Sequence, residues 1–289
     1  MRYQLDSICK QGNGDQVREQ LERLPLNLPD TYKQIWERIK TEGGGSLAIA
    51  SKALAWLLCA VRPLSPAEIT QAIAVELGST HMYPVEHIIA TCGNFVSLDR
   101  KQNVLRFEHY SVQEFLNQHE FKEAEPGIAR SCLTILTLSE PPPDLYLYVA
   151  EHWQEHARFW KDTADLTDPI EQFLFDKSYL QSWARYISKN PYRSRSWLQG
   201  LKLEPIHLIC HFDLMTILRY FFQRQLQNSE TPQVLSEALA LAGRSRRSEV
   251  VEFLLNEYPQ VDLEKTGMTR RRWLWPPLQR KNPNNDSSS

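Results

Sequence analysis

His152-Trp153-Gln154-Glu155-His156 carries the H-x-x-E-H spacing of a zinc-binding helix. Four residues apart on a helix, His152 and His156 share a face, with Glu155 beside them. Two imidazole ligands and a carboxylate base are what a zinc-bound water needs for hydrolysis. Val149, Trp153, Ala157 and Trp160 recur at helical spacing through the same segment, which marks a packing face. Glu171 is the available third ligand, but no metal-site pattern surrounds it. Five matching letters without that context argue for packing. The expectation is that His152 and His156 lie beside Trp153 and Trp160 and hold no metal.

A third histidine stands at a junction of elements. In Val104 to His109, Leu105, Phe107 and His109 alternate onto one face of a strand, and Arg106 and Glu108 take the other. Ser111 and Glu114 then have the spacing of a capping box, which predicts a helix opening at Ser111. His109 therefore leaves the strand on its apolar side, next to a helix N-terminus. That place suits either a specific contact or a core histidine bonded to a backbone carbonyl.

The elements around these residues are mostly helical. Helices are expected over 3–24 and 30–42, the second with Tyr32, Ile35, Trp36 and Ile39 as its buried stripe. Gly43-Gly44-Gly45 breaks it, and Ser46 is the predicted cap of a helix carrying Leu47, Ala50, Leu54, Leu57, Leu58 and Val61. Ser65-Pro66-Ala67-Glu68 is a capping box with proline at the first helical position, followed by Ile69, Ala72, Ile73 and Leu77. A short helix from Val85 to Cys92 leads through Gly93-Asn94 into a strand, Phe95 to Leu98. Arg100 to Asn103 turns the chain back into Val104 to His109. Three helices and then a two-stranded hairpin is the winged-helix order.

Further along, Ile128, Cys132, Ile135 and Leu136 form a stripe that ends at Pro141-Pro142-Pro143. Asp168 to Glu171 predicts the start of one helix carrying Ile170, Phe173, Leu174, Trp183, Ala184 and Ile187. Lys189 to Gly200 reads as a linker. Pro205 to Cys210 and Ala238 to Gly243 then stand 33 residues apart, and the same offset lays Ile217-Leu218 on Val250-Val251 and Phe221-Phe222 on Leu254-Leu255. A helix–turn–helix unit of that period resembles an ankyrin repeat, with Pro205-Ile206-His207 in place of its usual opening. Gly267-Met268-Thr269 begins a third unit that is not continued, and 282–289 is a polar tail expected to be disordered.

Leu24 to Ile39, Ala55 to Ile69, Cys92 to Leu98 and His109 to Leu116, in this order, resemble the winged-helix segment of fungal NACHT-type signalling NTPases, the domain named after GPI inositol-deacylase. The resemblance covers roughly residues 1–120. Together with the stripes, the 33-residue repeat and the polar tail, it predicts a mainly α chain in five parts: a helical hairpin after an NTPase core (1–45), a winged helix (46–120), a helical linker bundle (121–200), an ankyrin-like array (201–265) and a disordered basic and polar tail (266–289). It also implies a regulatory module placed after a nucleotide-binding core. In related signalling NTPases a histidine of the winged helix touches the β-phosphate of bound ADP and holds the off state, and His109 is the candidate for it here. Helical periodicity begins at once at Met1, where the family places the end of the NTPase, so the chain is read as either a fragment or a short gene model.

Composition narrows the partners. Among 289 residues, 33 basic side chains face 35 acidic ones, a formal charge of −2, which argues against nucleic acid or a membrane surface as the main partner. The helix at Val85 to Cys92, which would read DNA in a winged helix, carries Glu86 and no lysine or arginine; only Arg100 and Lys101 in the wing are basic. Arg270-Arg271-Arg272 with Arg280-Lys281 is read as a solvated tail rather than a localisation patch. Cys9, Cys59, Cys92, Cys132 and Cys210 are scattered and odd in number, as in a reduced cytoplasmic protein without a disulfide frame. No signal peptide is visible, and the longest apolar run, Leu54 to Val61, is too short to span a bilayer. No phosphate-binding G-x-x-x-x-G-K-[ST] loop and no G-x-S-x-G elbow occur, so the hydrolase activity in the deacylase name does not carry over.

The expected function is thus non-enzymatic: a regulatory, protein-binding segment of a NACHT–ankyrin signalling protein. It would use no cofactor, contact an upstream nucleotide-binding domain, and take protein partners on its ankyrin-like surface. The alternatives are a metal-dependent hydrolase built on His152, Glu155 and His156, and a winged-helix DNA-binding regulator.

Overall fold

The computed structural model describes residues 27–158, 167–189, 198, 202–225 and 232–258. The expected helix over 3–24, Cys9, Trp160, most of the Lys189 to Gly200 linker, the third-unit start at Gly267 and the basic tail lie outside them. The described residues fall into two compact units, the first reaching Tyr179 and the second beginning at Leu180.

In the first unit, helix α1 (Leu28–Glu42) is capped by Asn27, whose Oδ1 accepts the Asp30 amide at 2.9 Å. Tyr32, Ile35, Trp36 and Ile39 are all buried, as their spacing requires. Helix α2 (Gly44–Cys59) follows at once. Its N-cap is Gly43, at φ +62°. The expected Ser46 cap is not used, because a glycine in the left-handed region turns the chain three residues earlier. The buried face of α2 is Ile49, Ala50, Ala53, Leu54 and Trp56, while Val61 beyond it is exposed.

Helix α3 (Pro66–Glu76) has the predicted capping box: Ser65 Oγ accepts the Glu68 amide at 3.2 Å, and the Glu68 carboxylate accepts the Ser65 amide at 2.7 Å. Helix α4 (Val85–Thr91) leads to strands β1 (Val96–Asp99) and β2 (Val104–Phe107), antiparallel with Val96 opposite Phe107 and Asp99 opposite Val104. Asp99 Oδ1 accepts the Lys101 and Gln102 amides and closes the turn, which Asn103 completes at φ +53°. Leu105 also donates its amide to the Leu64 carbonyl at 2.9 Å, so the segment before α3 lies along the hairpin edge.

Helix α5 (Tyr110–His119) returns across α1. Tyr32 meets Phe115 with ring centroids 5.7 Å apart, Trp36 meets Phe121 at 5.5 Å, and Lys40 pairs with Glu120 at 3.5 Å. The first turns of α1 meet the early part of the α5 segment, Tyr32 at Ser111 and Phe115, and its later turns meet the far end, Trp36 at Phe121 and Lys40 at Glu120, so the two helices run parallel and their N-termini share one end.

Helices α6 (Ala124–Leu136) and α7 (Pro143–Ala157) were expected to begin a separate bundle at residue 121. Instead they pack on α2 and α3 within the first unit. Gln71 of α3 is the polar clasp: its Nε2 donates to Asp144 at 2.7 Å, and its Oε1 accepts the Leu145 amide at 2.9 Å. The helix predicted as continuous from Asp168 to Ile187 is broken. Thr167–Ile170 (α8) widens into a π-turn at Glu171–Phe175, and Asp176 then accepts the Ser178 amide at 2.8 Å to open α9 (Lys177–Ser188).

In the second unit, Leu180, Trp183 and Ile187 of α9 are buried, with Trp183 6.4 Å from Phe212 between ring centroids. Two helix–turn–helix pairs follow: α10 (Pro205–Phe212) with α11 (Met215–Gln225), and α12 (Pro232–Arg244) with α13 (Ser248–Glu257). The 33-residue period is present in the backbone. Asp213 and Arg246 both take positive φ, at 64° and 57°. The bond from Leu214 N–H to Ile209 O (3.0 Å) recurs as Arg247 N–H to Ala242 O (2.9 Å), and Leu218 N–H to Leu214 O recurs as Val251 N–H to Arg247 O. The equivalent side chains Leu218 and Val251, and Phe221 and Leu254, are buried in each copy.

Candidate functional site

His109 is exposed, which removes the core-histidine reading. Strand β2 ends at Phe107, so His109 sits two residues past the ladder as the N-cap of α5, with φ −152° and ψ 148°. Its Nδ1 accepts the Ser111 amide at 3.2 Å and stands 2.6 Å from Ser111 Oγ. Ser111 was the predicted cap, but it lies inside the first turn. Its hydroxyl is 2.7 Å from the Tyr32 hydroxyl of α1, so it is drawn away from the Glu114 amide. The imidazole takes the role that the serine was expected to play.

Around this junction the surface has large apolar side chains next to polar ones. Tyr110, following His109, is 73% exposed, and Leu28, one turn before Tyr32, is 54% exposed. Burial and aromatic packing hold the supporting residues: Tyr32 also meets Phe95 edge-on at 6.1 Å. What this arrangement can do chemically is present a fixed imidazole edge and the open first turn of a ten-residue helix to an acceptor such as a phosphate oxygen.

The H-x-x-E-H helix is α7, and its histidines are committed to packing. His156 is buried between two partners: Nδ1 lies 2.7 Å from Glu125 Oε1 on α6, and Nε2 lies 2.9 Å from the Tyr148 hydroxyl. That hydroxyl in turn accepts the Val61 amide at 3.0 Å. His152 is buried too, with Nδ1 3.2 Å from Glu155, and its ring stands 5.0 Å from that of Tyr148. Both ring nitrogens of His156 are thus taken within the fold, and among the described residues no three His, Cys, Asp or Glu side chains are grouped to hold a metal. Trp153 packs on Phe173 at 5.1 Å, as a packing helix requires.

The sequence reading missed the network that these residues build. Val61 belongs to the segment between α2 and α3, Glu125 to α6, and Tyr148 and His156 to α7. Burial pushes the Tyr148 phenol well above its ordinary range. Arg62 stacks over the Tyr148 ring at 5.0 Å and pairs with Glu68 through two nitrogens. Burial alone would raise the Glu68 carboxyl, but the Arg62 pairing and the Ser65 amide hold it below its usual value. On the other side, Glu76 collects Lys52 at 2.8 Å, Trp56 Nε1 at 3.2 Å and the Ser131 hydroxyl. The i, i+8 placement of Tyr148 and His156 on one helix face was the available signal.

On the helix that would read DNA in a DNA-binding winged helix, Glu86, His87 and Ala90 form the exposed face, and Arg106 of β2 pairs with Asp99 at 3.6 Å and with Gln102. In the second unit, His207 is buried and its Nδ1 accepts the Glu204 amide at 3.0 Å, closing the start of α10. Cys92, Cys132 and Cys210 are free and buried, and Cys59 is free and half-buried. No described helix is long and apolar enough to cross a membrane.

No curated protein and no solved structure matches this chain. Residues 17–128 match the family model for the GPI inositol-deacylase, winged helix domain, so this part of the chain, with His109 at the end of its hairpin, is a winged-helix domain of that type.

Proposed function

We propose that the chain is a non-catalytic regulatory and protein-binding segment of a NACHT–ankyrin signal-transduction protein of the cytoplasm. In this reading the winged helix closes on an upstream nucleotide-binding domain, and His109 contacts the β-phosphate of its ADP. The observation that carries it is the placement of His109: exposed, held by its Nδ1 at the N-terminus of α5, and flanked by the exposed Tyr110. Exposure leaves the ring open to another domain while its Nδ1 caps α5. The family match over residues 17–128 supports the module. The free thiols agree with a reducing compartment.

The two helix–turn–helix pairs are, in this reading, degenerate ankyrin-like repeats that take a protein partner. Their common 33-residue period and common turn bonds support it. The α4 face, with Glu86 and no lysine or arginine, weighs against DNA, and the commitment of His156 to Tyr148 and Glu125 weighs against a metal-dependent hydrolase.

The test is binding linkage. The chain is titrated into the P-loop domain of a full-length parent, with and without ADP. Tighter association with ADP present, lost in His109→Ala, is expected. Equal association in both conditions contradicts the reading.

A further inference from the structure

The bonds that hold His109 reach back to α1, through the Tyr32 hydroxyl 79 residues before Ser111. Their directions follow from a single group. The Ser111 amide meets His109 Nδ1 at 3.2 Å, and a backbone N–H can only donate. Nδ1 therefore carries a lone pair, and the ring proton is on Nε2. With Nδ1 bare, the Ser111 hydroxyl 2.6 Å away must donate to it. That uses the one serine proton, so the Tyr32 hydroxyl, 2.7 Å away, must donate to Ser111. The order is Tyr32 to Ser111 to His109.

We propose that Tyr32 is a positioning residue for His109, and that the seating of α1 on α5 fixes which edge of the imidazole faces outward. The Tyr32 proton fills a lone pair of Ser111 Oγ, which directs the serine proton onto Nδ1 and leaves the Nε2–H edge turned away from the helix. Tyr32 can do this because its own ring is fixed, against Phe95 at 6.1 Å and Phe115 at 5.7 Å. The register comes from farther along α1, where Trp36 meets Phe121 and Lys40 meets Glu120. A shift of α1 along α5 would withdraw the phenol, free the serine proton for another acceptor, and loosen the imidazole. Any event that moves α1 thereby reaches His109. This coupling gives the exposed histidine a regulatory input, and it rests on the proposed contact role of His109.

The test is the nitrogen-15 spectrum of the His109 ring in the whole chain, read through long-range proton couplings. The wild type is expected to show a bare, hydrogen-bonded Nδ1 and a protonated Nε2. Tyr32→Phe keeps the aromatic packing and removes the donor, so the Nδ1 resonance should move toward that of an unbonded imidazole while the wing amides stay in place. Ser111→Ala should move it further, and it supplies the same readout if Tyr32→Phe does not fold. An Nδ1 resonance unchanged in these variants, or a wild-type ring protonated at Nδ1, overturns the proposal. Failure of the contact role is read separately. A moved resonance together with ADP retention that ignores His109→Ala removes the contact and leaves the positioning; an unmoved resonance removes the positioning whatever ADP does.

Discussion

Replacing Tyr148 by phenylalanine removes one oxygen and should cost the first unit about 2–4 kcal/mol, because it orphans two groups while leaving packing intact. The hydroxyl accepts the Val61 amide at 3.0 Å and, because the Glu125 carboxylate takes the ring proton of Nδ1, donates to His156 Nε2 at 2.9 Å. Val61 is 44% exposed, so its amide can recruit water and contributes the smaller part. His156 is 1% exposed and cannot, so its acceptor loses its partner outright, at about 1–3 kcal/mol. The ring remains, still 6.2 Å from Trp56 and under Arg62, so no cavity adds to the loss. The assay is urea unfolding followed by tryptophan fluorescence, with Trp56 as the neighbouring reporter. The double variant Tyr148→Phe with His156→Leu removes both sides of this bond, and since the loss of the Glu125 pairing is common to the His156→Leu single variant, the cycle should give a coupling of about 1 kcal/mol or more, the value of one buried hydrogen bond. A single-variant cost below about 0.5 kcal/mol, the scale of an ordinary surface change, or strict additivity in the cycle, would refute the network.

Other outcomes follow from the same structure. Burial lowers the pKa of His207 against the pull of Glu237 and Glu204; the unfolded chain then binds the proton first, so stability of the second unit should fall as pH drops below about 6.5 and level off below the folded value. Urea midpoints between pH 7.5 and 5 check this, and a His207→Gln variant with the same slope would contradict it. Gly93 holds φ +60°, and a Cβ there would meet Ile35 Cγ2 at 3.0 Å and Ile39 Cδ1 at 3.1 Å. Gly93→Ala should therefore cost about 1–3 kcal/mol through strain and overpacking, read as a lower melting temperature; an unchanged melt would show that α1 gives way. Burial pushes the Cys92 thiol up to about 12 and raises those of Cys132 and Cys210, so iodoacetamide at pH 8 should leave all three unmodified until the protein unfolds, as judged by peptide mass spectrometry; rapid native labelling of any of them would contradict their burial.

The sequence made legible the features that depend on neighbours in the chain. The Tyr32, Ile35, Trp36 and Ile39 stripe, the Ser65–Glu68 capping box, the hairpin turn and the 33-residue period all stand where spacing placed them. What was not legible depends on distant partners. Ser111 has the letters of a cap, yet a phenol 79 residues away competes for its hydroxyl, and His109 caps instead. Gly43 opens α2 before Ser46 because two glycines can take positive φ, at +62° and +55°. The H-x-x-E-H match gave no hint that His156 would be paired to Glu125, 31 residues earlier, on a neighbouring helix. Nor did local pattern reveal that Gln71 binds α7 to α3, which makes α6 and α7 part of the first unit.

The central claim, that His109 serves a nucleotide held by another domain, is tested most directly by the dissociation rate of a fluorescent ADP from the full-length parent. His109→Ala in the parent is predicted to release ADP about 5–150-fold faster, the span of a typical coupling between sites. The same substitution in this chain alone should cost only about 1 kcal/mol, as for the loss of an exposed cap. An unchanged dissociation rate, with the variant folded, would contradict the account.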